Sequence, residues 1–374
     1  MAVAAVVAGL AAGPGNAARS LHAHRYTAAR ADAMLAAGVL TVGGSNADER
    51  IALRLKAGDP GTLQVDFGDD GSAEFEFARA GVTRITVDAG GGNDSVRIDE
   101  ANGVFTDSIP TTLDGGAGND NLAGGSGAET LIGGYGNDRM DGNRGNDRAF
   151  MGAGDDTFVW DPGDGSDTIE GEAGSDTMLF NGAAVPEHVD LSANGHRLRF
   201  FRDAGNITMD TSGVERVVFN ALGGADVVTV HDLSATDVRK VDVDESSPAG
   251  SGVGDGAADQ VIVEGTAGND RIAAFGSNGA ARVLGLSAAV TVTGAEPAND
   301  TLSIDALDGN DLVLASALAA SATKLTIDGG NGNDVLVGGG GDDVIAGAAG
   351  NDVLLGGPGL DSLDGGPGSN ALVQ

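Results

Sequence analysis

Gly329-Gly330-Asn331-Gly332-Asn333-Asp334-Val335-Leu336-Val337 is followed at once by Gly338-Gly339-Gly340-Gly341-Asp342-Asp343-Val344-Ile345-Ala346, and the nine-residue unit continues to Val373. Each unit divides into a glycine-rich turn of six residues and a strand of three. Its sixth position holds Asp334, Asp343, Asp352, Asp361 and finally Asn370; two residues further on stand Leu336, Ile345, Leu354, Leu363 and Leu372. Glycine permits positive φ and close backbone approach in the turn. The aliphatic of each strand supplies one rung of a core. Self-similarity at a fixed period marks a solenoid built by stacking short units.

A second array lies upstream. Its position-six acids are Asp120, Glu129, Asp138, Asp147 and Asp156, each nine after the last; an insertion around Trp160-Asp161-Pro162 delays the next to Asp167, and Asp176 restores the step. The aliphatic position reads Leu122, Leu131, Met140, Phe158, Ile169 and Met178, with Ala149 as its weak member. Two units make one coil of eighteen residues, so turns eighteen apart stack on the same side at roughly 4.8 Å. That gap suits a cation held between Asp334 and Asp352, Asp343 and Asp361, Asp120 and Asp138, Glu129 and Asp147, or Asp138 and Asp156. Calcium takes six to eight oxygens at about 2.3–2.6 Å in irregular cages, whereas magnesium demands a tight octahedron. Several calcium ions are therefore expected. Zinc is disfavoured, with no cysteine and only 5 histidines.

The composition agrees. Lys and Arg number 21 against 55 Asp and Glu, a formal charge of −34. Such a chain will not bind nucleic acid, whose affinity comes from basic side chains neutralising phosphates, and it should repel anionic membranes. Self-repulsion of this size opposes compaction unless cations offset it. The 64 glycines and 4% aromatic content rule out a bulky globular core but permit flat aliphatic ladders. Without cysteine there is no disulfide. No apolar run reaches the roughly 18 residues of a membrane span.

The unit resembles the Gly-Gly-x-Gly-x-Asp-x-U-x repeat of RTX, or hemolysin-type, calcium-binding proteins, strongly over residues 115–179 and 329–373. The resemblance implies an all-β parallel β-roll, calcium in the turns, and a secreted bacterial protein. It assigns metal binding to the side chains of Asp120, Asp138, Asp147, Asp156, Asp167, Asp176, Asp334, Asp343, Asp352 and Asp361. It adds turn carbonyls such as those of Gly116, Gly118, Gly134, Gly136, Gly330, Gly332, Gly339 and Gly341. Three positions depart from the pattern: Glu129 is longer than Asp, Asn370 lacks charge, and Arg144 places a cation inside a turn.

Five zones follow. Residues 1–37 are apolar and Ala-rich: a secretory signal, or an end helix that caps the fold, with a short helix over 17–37 and Leu21, Met34 and Leu35 on its apolar face. Residues 38–112 read as degenerate solenoid coils, 113–179 as the first β-roll array, 180–328 as a further degenerate region, and 329–374 as the second array. Echoes of the turn end at Asp94, Asp226, Asp270 and Asp311, and each launches a strand-like run. Their irregular spacing predicts one continuing stack with longer loops; the competing reading is a separate antiparallel sandwich between two rolls.

No His-Glu-x-x-His or Gly-x-Ser-x-Gly motif occurs, and no catalytic or organic-cofactor residue is assigned. The expected function is that of an extracellular calcium-binding protein that folds with its ions and serves a structural, surface or matrix role. An adhesin-like module contacting a protein or glycan is the alternative. A glycan-acting β-helix enzyme would need Asp190, Asp210, Asp242 and Asp244 to converge in one cleft.

Overall fold

The computed structural model describes residues 31–374, and over them the protein is built from strands with a single 3-10 turn at Arg79–Gly81. Strands alternate between two sheets. Thr111–Ala117 lies in the first, Asn121–Ala123 in the second, and Thr130–Tyr135 returns to the first. Neighbours within each sheet pair in parallel: Leu131 stands between Leu113 and Ala149, and Met140 between Leu122 and Phe158. One coil of the dense array is thus eighteen residues long. Parallel sheets require both faces covered, or one face turned to an equally apolar partner; here the inner faces of the two sheets cover each other.

The stack continues through the middle of the chain. In the first sheet His188–Asn194, Val227–Val230, Gln260–Glu264, Thr301–Asp305, Lys324–Asp328 and Val344–Ala346 follow one another in parallel. In the second, Thr177–Asn181, Arg216–Asn220, Lys240–Asp244 and Ala289–Thr293 do the same. The single parallel stack holds, and the irregular spacing has a further cause beyond longer loops. Antiparallel strands are spliced into the sheets. Arg197–Arg202 pairs antiparallel with both His188–Asn194 and Ile207–Ser212, and Ala280–Leu284 with both Arg271–Gly276 and Ala289–Thr293. Each excursion adds residues to a coil without breaking the ladder.

The helix expected over 17–37 needs correction where it can be seen. Asp32–Ala36 is a strand, antiparallel to Val39–Ser45 with Leu35 opposite Leu40. Ala37 and Gly38 both have positive φ (49° and 85°) and make the tight turn that reverses the chain. Pairing with the Val39-Leu40 run overrides the helix preference of Ala, Met and Leu; Met34 projects into solvent and Leu35 leans on the core. The possible signal and Leu21 lie outside the described residues.

The core is a row of rungs. Leu122, Met140, Phe158, Met178, Val217, Val241 and Val290 form one continuous line, and Leu336 and Leu354 another, all buried. At the insertion the rungs become aromatic. Trp160 and Phe180 stack with centroids 3.9 Å apart, and Phe200, from a spliced antiparallel strand, lies 4.5 Å from Phe180. Wider rungs fill the space that the longer coil opens.

Burial should govern the cost of losing a rung. Leu354 is fully buried and Leu372, one coil further, is 46% exposed. Leu354→Ala is expected to destabilise by about 2–5 kcal/mol and Leu372→Ala by about 1 kcal/mol or less. Denaturant unfolding at saturating calcium compares the two, and equal losses would refute this packing.

Candidate metal centre

The geometry of the turns follows from the repeat. The first glycine of each unit lies against the acid five residues later: a Cβ built on Gly133 would come within 2.5 Å of Asp138 Oδ2, and one on Gly115 within 2.5 Å of Asp120 Oδ2. A side chain there would occupy the acid's space. Gly118 and Gly136, at φ of 131° and 120°, adopt a backbone few other residues tolerate, and the Gly118 carbonyl faces Gly136 so closely that a Cβ would collide with it. Gly116 stands in the same relation to Gly134, and Gly134 and Gly136 to the next coil. The carbonyls of Gly332, Gly339 and Gly341 likewise face Gly350, Gly357 and Gly359; that of Gly330 accepts the Ala349 N–H at 2.9 Å.

The acids form columns along the stack. The backbone N–H of Asp120 donates to Asp138 Oδ1 at 2.8 Å, that of Asp138 to Asp156 at 2.7 Å, and that of Asp156 to Asp176 at 2.9 Å. On the opposite side Glu129 donates to Asp147 (2.6 Å) and Asp147 to Asp167 (2.8 Å). In the second array Asp334 donates to Asp352 (3.0 Å), Asp352 to Asn370 (2.8 Å) and Asp343 to Asp361 (3.1 Å). The eighteen-residue partners thus meet, and the step lengthens to twenty at the insertion.

One oxygen of each Asp other than Asp343 is used in this way, whereas Glu129 accepts the Gly125 N–H of its own turn at 2.8 Å. The other is bare: Oδ2 of Asp120, Asp138, Asp147, Asp156, Asp167, Asp176, Asp334, Asp352 and Asp361 is buried with no hydrogen-bond partner, as is Glu129 Oε1. Asp343 differs, because its Oδ2 accepts the Gly339 N–H at 2.7 Å. Burial, before any other cause, pushes these carboxyls up: Asp138 and Asp176 to about 7, Asp147 to about 9, Asp167 to about 8, and Asp156, Asp334 and Asp343 to about 6. Buried carboxylate oxygens without partners, interleaved with turn carbonyls, are the donor set that a hard cation takes. The residues fit calcium on that ground. At Asn370 the fit changes: its amide donates to the carbonyls of its own turn, Gly365 (2.6 Å) and Gly366 (3.0 Å). In the Arg144 turn, Asn143 does the same to Gly124 O at 3.0 Å.

Three features were not foreseen from the sequence. The columns extend into the middle region through Glu187, Asp226, Asp259 and Asp300. None of Glu187, Asp259 and Asp300 follows a complete glycine turn, although Gly182 stands five residues before Glu187 and Gly254 five before Asp259; their signal is an acid two residues before a buried aliphatic, as in Asp259-Gln260-Val261. The residue preceding the acid also forms a ladder: Asn119 N–H donates to Asn93 Oδ1, and Asn137 N–H to Asn119 Oδ1, both at 2.8 Å. His231 is half-buried between Asp190 and Glu264, each 2.6 Å from a ring nitrogen. In the strand Arg197–Arg202, Arg197 pairs with Glu170 and Asp210 and Arg199 with Asp190, while Arg202 is buried against Glu187. Asp190, Asp210, Asp242 and Asp244 do not converge. Asp190 and Asp210 bind separate arginines in the first sheet, while Asp242, held by Arg216 and Lys240, and Asp244 lie in the second.

The raised carboxyls set a pH dependence. Unfolded Asp titrates near 3.9, so the calcium-free fold is stabilised fully below about pH 4 and loses that contribution as pH rises through about 6 to 9. In chelator the protein is expected to melt at a higher temperature at pH 5 than at pH 8.5. Calcium, which takes the ionised form, should reverse the order. Thermal melts by circular dichroism at both pH values check this; a chelated protein more stable at pH 8.5 would contradict it.

The family described as the RTX calcium-binding nonapeptide repeat (4 copies) matches residues 112–128, 123–158, 163–182, 326–354 and 337–372. No curated protein matches the chain. Repeats of this family bind calcium, and the matched segments are those in which the buried, half-satisfied acids are densest. The chain carries two arrays of RTX calcium-binding nonapeptide repeats, wound into one stack of parallel β-coils.

Proposed function

We propose that this is a secreted bacterial calcium-binding protein whose fold depends on its ions and whose role is structural, at a surface or in a matrix. The observation that carries the reading is the column of buried carboxylates, each with one oxygen tied to the neighbouring coil and one without a partner. Calcium sits between turns eighteen residues apart. Its ligands are Asp120, Asp138, Asp147, Asp156, Asp167, Asp176, Asp334, Asp343, Asp352 and Asp361, with carbonyls of Gly116, Gly118, Gly134, Gly136, Gly330, Gly332, Gly339 and Gly341. Export favours this chemistry, because extracellular modules work with calcium affinities of about 10⁻⁴–10⁻³ M. Ions would then staple a chain that has no cysteine. A structural role agrees with an elongated stack in which the four candidate catalytic aspartates lie apart.

Mass action links binding to folding. A ligand at a hundred times its Kd stabilises the fold by about 2.7 kcal/mol per site, and several sites together offset the repulsion of a −34 chain. The far-UV spectrum at neutral pH is therefore expected to gain β-structure when calcium replaces chelator, while equimolar magnesium does far less. Identical spectra in chelator and calcium would sink this reading.

Asp138→Asn separates the two oxygens. The amide oxygen still accepts the Asp120 N–H, but the charge is gone. The variant is expected to be more stable than the parent in chelator at pH 8.5, because it removes the cost of burying an unpaired anion. It should bind calcium about tenfold or more weakly. Calorimetric titration and chelator melts read both quantities, and unaltered calcium affinity would remove Asp138 from the ligand set.

A further inference from the structure

Where the chain leaves the second sheet for the turn, four coils stand in register: Asn181, Asn220, Asp244 and Thr293. The residues that follow are Gly182, Ala221, Glu245 and Gly294. Gly182 shows what this place requires, since a Cβ there would run into Glu187 Oε2. It corresponds to the first glycine of the dense repeats, where Gly115 and Gly133 lie under Asp120 and Asp138. Glu245 puts a long anionic side chain at this position.

That side chain turns inward. Glu245 is 3% exposed, and its Oε2 has no hydrogen-bond partner. It shares the space with Asp259 and Asp300, both buried, and one carboxylate oxygen from each of the three lies within 4.8 Å of the others. The charges acting on it most strongly are Asp300, Asp259, Asp226 and Asp244, all negative, and burial with this company pushes its carboxyl up to about 9. An uncompensated anion at such a place is among the costliest groups to bury.

We propose that Glu245, Asp259 and Asp300 form a separate divalent-cation site, suited to a hard ion that prefers oxygen, with calcium as its occupant. The site lies outside the segments that match the nonapeptide repeat and lacks their two-glycine cradle, relying on three charges instead of turn carbonyls. Its ligands are already aimed. Asp259 Oδ1 accepts the Asp226 N–H at 2.8 Å, Asp300 Oδ1 accepts the Asp259 N–H at 3.0 Å, and Glu245 is fixed by its own N–H to Thr293 O at 2.8 Å. An ionised carboxylate offers about four lone pairs, so these bonds leave room for a metal. The long turn from Ser246 to Ala258 links Glu245 to Asp259 in sequence and is anchored by the Gly256 N–H to Glu296 at 2.6 Å and by the Gly224 N–H to Asp255 at 2.7 Å.

The test counts calcium tightly held by the full chain after desalting, by native mass spectrometry, for the parent, Glu245→Gln, Glu245→Gly and Asp138→Asn. The glycine variant restores the residue found at Gly182 and guards against a folding defect. Both Glu245 variants are expected to hold one ion fewer than the parent, and their calcium-saturated melting temperature should fall. Retention of the parent's ion count by both variants overturns the proposal, leaving a protonated Glu245 as the explanation. In that case a loss confined to Asp138→Asn leaves the repeat reading intact, whereas a parent holding no calcium defeats both.

Discussion

A buried aspartate bridging two coils is the interaction on which the rest depends. One oxygen closes a hydrogen bond to the backbone of the neighbouring coil, which fixes the register of the stack. The other oxygen is left without a partner in a place from which water is excluded. The first half of this arrangement is neutral in its demands. The second makes the fold conditional, because an ionised carboxylate cannot remain there uncompensated. Glycine follows from the same constraint: it stands under the acid because nothing larger fits. The aliphatic rungs are secondary: in the second array Leu336, Ile345 and Leu354 are one rung per strand, a core too thin to offset the repulsion of a −34 chain by itself.

The middle of the chain answers the same demand differently. Glu187 stands in a column position, but Arg202, delivered by a spliced antiparallel strand, pairs with it, and the guanidinium also lies 5.3 Å over the Trp160 ring. A side chain from within the protein supplies positive charge where the dense arrays look to an ion. The aromatic cluster beside it, Trp160, Phe180, Phe200 and Phe219, gives this stretch more apolar burial than any nonapeptide coil has. Compensation by a buried arginine thus enters in the same segment in which the core passes from aliphatic to aromatic.

Much of this was legible beforehand because the repeat couples a turn, a charge and a rung at fixed offsets. The step of nine gave the eighteen-residue coil and so the partners Asp120 with Asp138 and Asp334 with Asp352, which meet as expected. Legibility failed where one member of the unit was missing. Glu187, Asp259 and Asp300 keep the acid and the aliphatic but little or none of the glycine turn, so their place in the columns could not be told from scattered surface acids. The strand at Asp32–Ala36 was misread as helix because Ala and Met favour a helix locally, whereas its pairing partner lies beyond the turn. The Asn ladder was overlooked because an exposed amide in a turn has an ordinary explanation.

That ladder has a mechanical consequence. Asp N–H groups donate forward along the stack, and Asn side chains receive from the coil ahead, so the two lines of bonds run in opposite senses. The bonds themselves thus favour neither end of the stack, although the last rung, Leu372, is half exposed. Tension on the chain would meet the same bonds from both directions, one coil at a time. A released coil of eighteen residues extends to roughly 60 Å, against the roughly 4.8 Å of height that it occupied. The body is thus a store of length, more than tenfold compacted.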